Sequence, residues 1–366
     1  MEYYSKAGLR EGYTTGTCAA AAARASACFV MYGEAPEHVT ITTPAGKNIE
    51  LEIINTHDSY FGVIKDAGDD PDATDKMLIK AKVELKKDTS EVTFRAGEGV
   101  GTVTLPGLKI PVGEPAINPV PRQMITEAVK AVTGNYGAEV TVAVPGGAEK
   151  AKKTFNPRLG ITGGLSILGT SGIVRPMDEN AIYDSLTLEV STHVAEKKEL
   201  LALTFGNTGE IAMRKAFDIK GRCVMQSGNY IGFVLDEMAR LGIKKVLLCG
   251  HPGKLLKVAA GTFNTHNRYG DGRKEALCTQ LAIMGAESKT VKEIYDCRTT
   301  EQSIEIVKEN GLEEVWNVLA DITAKRCTDR SFGDLVAEAA FTDNTGQILG
   351  LSRNAEAFAK ELQNEE

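Results

Sequence analysis

Arginines and hydroxyl groups set among glycines can hold an anion, and the chain gathers its densest such set between Asn156 and Pro176. This stretch has five glycines (Gly160, Gly163, Gly164, Gly169, Gly172) and four hydroxyl residues (Thr162, Ser166, Thr170, Ser171). It has no acid, and an arginine stands near each end, Arg158 and Arg175. Glycine reaches positive φ and lets another group approach the backbone. Successive free N–H groups in such turns form a nest for a carboxylate or phosphate, and arginine grips either through two parallel bonds. The plainer reading is a set of tight turns burying Ile161, Leu165, Ile167 and Leu168.

A second anion candidate is Gly12-Tyr13-Thr14-Thr15-Gly16-Thr17-Cys18, which runs into the alanine-rich stretch Ala19–Ala27. Alanine favours helix, and Thr15 or Thr17 is expected at its N-cap. The helix start then either points at a ligand anion or is simply buried and capped. For acid–base chemistry the candidates are Asp66 and His266. Asp66 opens a loop with five aspartates in ten residues (Asp66, Asp69, Asp70, Asp72, Asp75). Mutual repulsion in such a loop eases protonation of one acid or attracts a cation. The spacing is not that of an EF-hand, and a solvated loop is the plainer reading. His266 and His251 both lie in polar turns, where a hydrogen-bonded structural role competes with a chemical one.

Bulk composition limits the partners. The 366 residues suffice for two domains, and a formal charge of −7 argues against a general nucleic-acid binder. Seven scattered cysteines without a C-x-x-C pair fit free thiols in a reducing, cytoplasmic setting. The five histidines lack metal-ligand spacing with those cysteines. No apolar run reaches membrane-spanning length. Arg24 and Glu11 argue against a signal peptide at Ala19–Met31.

The elements that must position these groups divide into two styles. Residues 1–196 read as an α+β domain. Short strands are expected at 39–42, 49–54, 60–65, 81–85, 91–94, 101–105 and 138–144, with a stiff proline-rich loop from Gly107 to Pro121. Pro121 is placed at the start of a helix through Thr133, which carries Arg122, and Asp178 caps another through Val194. Residues 197–366 read as a Rossmann-like three-layer domain with a mostly parallel sheet. Three strand–turn–helix units follow one another there, with turns Gly206-Asn207-Thr208-Gly209-Glu210, Ser227-Gly228-Asn229 and Gly250-His251-Pro252-Gly253-Lys254. Each turn sits at a carboxyl strand end, where open α/β sheets bind ligands. The first is only G-x-x-G, and no Walker-type loop is present. Beyond these, helices are expected at Thr299/Thr300–Lys308 and Glu313–Arg326, a hairpin around Asn344–Gly346, and a polar, fraying helix after Arg353.

Taken together, the motifs resemble the CbiD family, cobalt-precorrin-5B C1-methyltransferase of anaerobic cobalamin biosynthesis. The resemblance is carried by Gly12–Ala20, Lys65–Asp72, Val112–Arg122, Phe155–Gly160, Gly169–Met177, Phe205–Glu210, His251–Lys254, Asn264–His266 and Asp271–Arg273. It implies methyl transfer from S-adenosylmethionine to C1 of a cobalt-bearing, carboxylate-rich tetrapyrrole. The cobalt belongs to the substrate, so no protein-bound metal is required. On this reading Thr14, Thr15, Arg122, Arg158, Gly163, Gly164, Thr170 and Arg175 face the substrate. Gly206, Asn207, Thr208, Gly209, Glu210, Asn229, Gly250, His251 and Gly253 face the cofactor. Asp66 and His266 are the candidates for a base. Homo-oligomerisation is left open. A phosphoryl-transfer enzyme and a carrier for an anionic ligand are the competing classes.

Overall fold

The computed structural model describes residues 8–364, and the chain divides into two compact units, Met1–Ser185 and Leu186–Glu366. The division falls inside a helix, Glu179–Ala195, ahead of the expected boundary at residue 196.

The N-terminal unit begins with β1 (Gly12–Tyr13) and α1 (Thr15–Tyr32). The N-cap of α1 is Thr14, in place of the expected Thr15 or Thr17, because its extended backbone lets its hydroxyl accept from Thr17 N–H. Gly33, at φ 82°, ends the helix with its N–H on Phe29 O. β2 (His38–Thr42) and β3 (Asn48–Glu52) form a hairpin. β4 (Ile54–Asn55), β5 (Phe61–Ile64), β6 (Leu78–Lys86), β7 (Val92–Ala96) and, after β8 (Thr102–Val103), β9 (Gly137–Ala143) build a five-stranded sheet in the order β4-β5-β6-β9-β7. Only β7 and β9 in this sheet run parallel.

Helix α2 spans Pro119–Thr133, two residues earlier than expected. The first-turn N–H groups of a helix have no internal partner, so both Pro119 and Pro121 are accommodated there. A short α3 (Gly147–Ala151), β10 (Ile161–Thr162), β11 (Ile173–Val174) and α4 (Glu179–Ala195) follow. The alanine face of α1 is fully buried, in one core with Val63, Ile79, Val83, Ile125, Val129, Val140 and Val142. Side chains this small let α1 lie close to both the sheet and α2.

The C-terminal unit contains β12 (Leu200–Thr204), α5 (Asn207–Phe217), β13 (Val224–Gln226), α6 (Ile231–Leu241), β14 (Lys245–Gly250) and α7 (Pro252–Ala259). Next come α8 (Arg273–Ile283), α9 (Ser288–Asp296), α10 (Thr300–Glu309) and α11 (Val315–Arg330). β15 (Val336–Thr342), β16 (Ile348–Leu351) and α12 (Ala355–Gln363) complete the unit. The sheet order is β13-β12-β14-β15-β16, parallel except for β16.

Alternate residues of these strands face two cores. Leu201, Leu203, Val246 and Leu248 pack with Leu235, Met238, Leu255 and Trp316. Leu200, Ala202, Leu247 and Cys249 pack with Met213, Phe217, Phe358 and Leu362. The sheet therefore lies between two helical layers, and the chain is α/β. Two expectations need correction. Helix α7 starts at Pro252 and not at Leu255, because His251 caps it and proline suits the first helical position. The helix expected after Arg353 is present but packed and not frayed, since Ala355, Phe358, Ala359 and Leu362 form one buried stripe.

Candidate active site

In the N-terminal unit, three motif segments lie side by side. Residues 10–13 run against 66–69: Tyr13 N–H donates to Asp66 O at 2.9 Å and Asp69 N–H to Arg10 O at 2.9 Å. On its other edge, β1 pairs with β11. Backbones come this close only because side chains are missing. A Cβ on Gly12 would sit 2.2 Å from the Ala67 carbonyl carbon, and one on Gly68 2.1 Å from Arg10 O.

The start of α1 is closed by the Gly-rich stretch. Gly16 N–H donates to Leu168 O at 3.1 Å, Thr14 N–H to Gly172 O at 3.2 Å and Thr17 Oγ1 to Gly172 O at 2.7 Å. Thr15 Oγ1 both donates to Leu168 O (3.2 Å) and accepts from Leu168 N–H (2.9 Å). Thr14 and Thr15 are buried, so their hydroxyls serve this junction. The helix N-terminus meets protein carbonyls where the sequence allowed either a ligand anion or a cap.

The charged candidates in this unit differ in availability. Arg122 donates to Ile117 O at 2.8 Å, Pro115 O at 3.1 Å and Glu114 at 3.3 Å, and lies over the Phe94 ring. It braces the proline-rich loop. Arg175 is exposed, with Nε 3.8 Å from Glu11, which is itself paired with Lys47. Arg158 is half-buried just ahead of β10. Thr170 and Gly163 are exposed, and Gly163 (φ 81°) has open space where a side chain would be. Gly164 instead packs on the Gly99 carbonyl.

Asp66 accepts two bonds from Arg10, at 2.5 and 2.9 Å, and one from Gly68 N–H at 3.0 Å. The Arg10 hydrogen bond, supported by that from Gly68, holds the carboxyl well below the usual carboxylate range. Such a carboxylate is a weak proton acceptor, so its geometry favours a positioning role. Asp66 and Lys76 line a cavity of about 240 Å³ with Tyr13, Glu52 and Ile64. Arg10 was missed from the sequence because its partner is 56 residues away.

In the C-terminal unit, all the turns expected to hold a cofactor open at one end of the sheet. β12 leads through α5 to β13 on one side, and α6 then returns the chain to β14 on the other. The crevice where an open α/β sheet binds ligands therefore lies between the ends of β12 and β14. It is flanked by Phe205–Asn207 and Gly250–His251. The Phe205 ring lies against Gly250, whose missing Cβ would stand 2.8 Å from it. Gly206, Asn207, Thr208 and Gly209 form the start of α5, which has no side-chain cap. Gln226, at the end of β13, donates to Asn207 Oδ1 at 2.9 Å and Glu210 at 2.8 Å, and Glu210 also pairs with Arg214 at 2.9 Å. Gln226 was absent from the sequence candidates; its place as the last residue of a parallel strand was the available signal.

His251 and His266 do the same local work. The Nδ1 of His251 accepts from Gly253 N–H at 3.0 Å, and that of His266 from Arg268 N–H at 3.3 Å. The remaining nitrogen, Nε2, carries the proton in the neutral ring. His251 Nε2 is 3.6 Å from Glu301, and burial lowers its pKa against the opposing pull of Glu301 and Asp343. His266 is exposed. Asn229 Oδ1 accepts from Lys254 at 2.9 Å and Thr265 Oγ1 at 3.0 Å. Among the described residues no group of three or more His, Cys, Asp or Glu could hold a metal, and no helix is long and apolar enough to cross a membrane. All seven cysteines are free.

A family model described as CbiD matches residues 2–176, and one described as CbiD, C-terminal domain, matches residues 264–353. The chain is 43% identical over 332 residues to a protein of Alkaliphilus metalliredigens named cobalt-precorrin-5B C(1)-methyltransferase, covering 89% of this chain and 88% of that protein. A protein of the same name from Photorhabdus laumondii is 43% identical over 352 residues, covering 94% and 93%. That from Moorella thermoacetica is 42% identical over 347 residues, covering 93% and 94%. A crystal structure of the cobalamin biosynthesis protein CbiD from Archaeoglobus fulgidus is 30% identical. It covers 71% of this chain and 83% of that one, with a TM-score of 0.38.

Proposed function

The chain belongs to the CbiD family, and from that premise we propose that it transfers a methyl group from S-adenosylmethionine to C1 of cobalt-precorrin-5B, giving cobalt-precorrin-6A. The observation that carries the reading is the shared name of relatives at 42–43% identity across most of the chain. The crevice between β12 and β14 supports it. Glycine at 250 leaves space filled by one aromatic ring, and the Asn207–Gln226–Glu210 network offers both donors and acceptors to ribose hydroxyls. The bound methyl donor supplies a sulfonium carbon that a macrocycle carbon attacks in line, the new C–C bond forming as the C–S bond breaks.

This chain's part is to align the two carbons and exclude water, which lowers the barrier by several kcal/mol, up to about 10. The methyl group arrives as a cation equivalent, so the macrocycle sheds one proton to keep its charge. Neither Asp66, tightly paired, nor His266, capping with Nδ1, is an efficient base in this geometry. An unpaired carboxylate arm of the substrate, with ordinary carboxylate basicity, takes that proton and passes it to solvent. Arg158 and Arg175 remain the N-terminal unit's candidates for those arms. Cobalt stays with the substrate throughout.

Incubation with methyl-labelled S-adenosylmethionine and cobalt-precorrin-5B is expected to add one labelled methyl group to the tetrapyrrole. A folded protein giving no such mass gain would overturn the reading. Arg158→Ala is expected to weaken tetrapyrrole binding about ten-fold or more while S-adenosylhomocysteine binding changes little, an arginine–carboxylate contact contributing about 1.5–3 kcal/mol. Equal loss of both ligands would return Arg158 to a structural role.

A further inference from the structure

Helix α7 carries two lysines one turn apart, Lys254 and Lys257, on the face turned toward Thr265. Lys257 is 1% exposed, and its ammonium donates to Thr265 O at 3.1 Å and Asn267 Oδ1 at 2.9 Å. Lys254 is half-buried and donates to Asn229 Oδ1 at 2.9 Å and, weakly, to Thr265 O at 3.5 Å. All of these acceptors are neutral. Neither ammonium has an acid within ion-pair distance among the described residues.

The neighbouring charge makes the imbalance larger. Arg273 acts on both lysines as a like charge. Asp271, the acid nearest to balancing Lys257, is taken by Arg273 through two bonds of 2.5 and 2.7 Å. Burial, then Lys257 and Arg273, lowers the pKa of Lys254. A buried cation without a counter-charge is costly, and a chain of net charge −7 has acids to spare for pairing it. Two ammoniums without a counter-charge, beside an arginine that is already paired, thus describe a site that an anion completes.

We propose that Lys254 and Lys257, set by Asn229 and Thr265 and reinforced by Arg273, bind a ligand carboxylate at the carboxyl edge of the C-terminal sheet. The inference rests on the methyltransferase reading and deepens it, since two ligands of that reaction bring carboxylates: the amino-acid end of the methyl donor and the acid arms of the tetrapyrrole. Both offer planar oxygens to ammonium and guanidinium donors. Asn229 then positions Lys254, and is not itself required to touch the cofactor.

The test is calorimetry on the full chain with three probes: S-adenosylhomocysteine, a cobalt corrinoid with free acetate and propionate arms, and the same corrinoid with those arms methyl-esterified. Lys254→Gln is expected to weaken one of the two carboxylate ligands at least ten-fold, with Lys254→Arg within about three-fold of wild type. Selective loss of S-adenosylhomocysteine assigns the donor's carboxylate. Selective loss of the free-acid corrinoid, with the ester unchanged, assigns an arm of the ring. Lys257→Met serves as a second variant, its folding checked by circular dichroism. Folded Lys254→Gln and Lys257→Met proteins that bind both carboxylate ligands as tightly as wild type would overturn the inference, as would equal weakening of acid and ester. Wild-type protein that binds none of the probes would overturn the function reading as well, and so separates the two failures.

Discussion

Arg122 has three oxygen acceptors within 3.3 Å, one of them a carboxylate, whereas Lys254 and Lys257 meet only neutral oxygens. The same contrast runs through the two units. In the N-terminal unit Gly12, Gly16, Gly68, Gly172, Thr14, Thr15 and Thr17 are consumed in joining residues 10–17 to 66–69 and 168–174. In the C-terminal unit the corresponding glycines leave space at the end of a parallel sheet, and nearby cations remain unbalanced. A motif rich in glycine and arginine is therefore a statement about close approach. Whether a ligand or the chain itself does the approaching depends on which carbonyls are within reach.

The largest expected break in this contrast is Gly12→Ala. Its Cβ would meet backbone atoms at 2.2 and 2.3 Å that cannot move without parting two strands, so stability should fall by about 3 kcal/mol in urea unfolding. A change below about 1 kcal/mol would show the crossing to be loose. Gly250→Ala is expected to act differently. Its neighbour is the end of a side chain, so Phe205 can yield into the crevice. S-adenosylhomocysteine binding should weaken about ten-fold, or about 1.4 kcal/mol, with a smaller loss of stability. Unchanged affinity would move the cofactor away from this crevice.

The smallest effect is on pH dependence. Arg10 depresses the folded-state pKa of Asp66, so the pair contributes stability above the unfolded carboxylate value, and that contribution is lost as pH falls below about 4. Asp66→Asn should flatten the acid side of the stability profile. If the variant tracks wild type from neutral pH to acid, the pair contributes nothing measurable, as exposed pairs often do.

Much of the architecture was legible in the sequence because period and punctuation agreed. The parallel units of the second half, the hairpin at Asn344–Gly346 and the Asp178-capped helix each carried a strand pattern, a turn or a cap at the right place. What was hidden had identifiable causes. The buried stripe of α12 follows helical spacing, but two of its four members are alanines, whose small size made the helix read as polar and fraying. Helix α8 shows little periodicity, and α9 is only nine residues long and buries just Thr290 and Ile294. Among the site residues, Arg10 and Lys254 depend on partners 56 and 25 residues away, and no local spacing announces such pairs. His251 and His266 were visible as polar-turn histidines, but their use of Nδ1 as a helix cap emerged only in three dimensions.

The hydroxyl of Thr17 reaches Gly172 across 155 residues of chain. The N-terminal unit thus clasps its own beginning with nearly its last segment. The alanine face of α1 packs on segments that leave the ribosome earlier, but its start is closed only once the Gly-rich stretch has emerged. Contacts this distant in sequence slow folding, because a long loop must be ordered first. A nascent chain truncated before residue 168 should accordingly remain open to protease at its N-terminus, and protection should appear abruptly once residues 168–174 clear the exit tunnel.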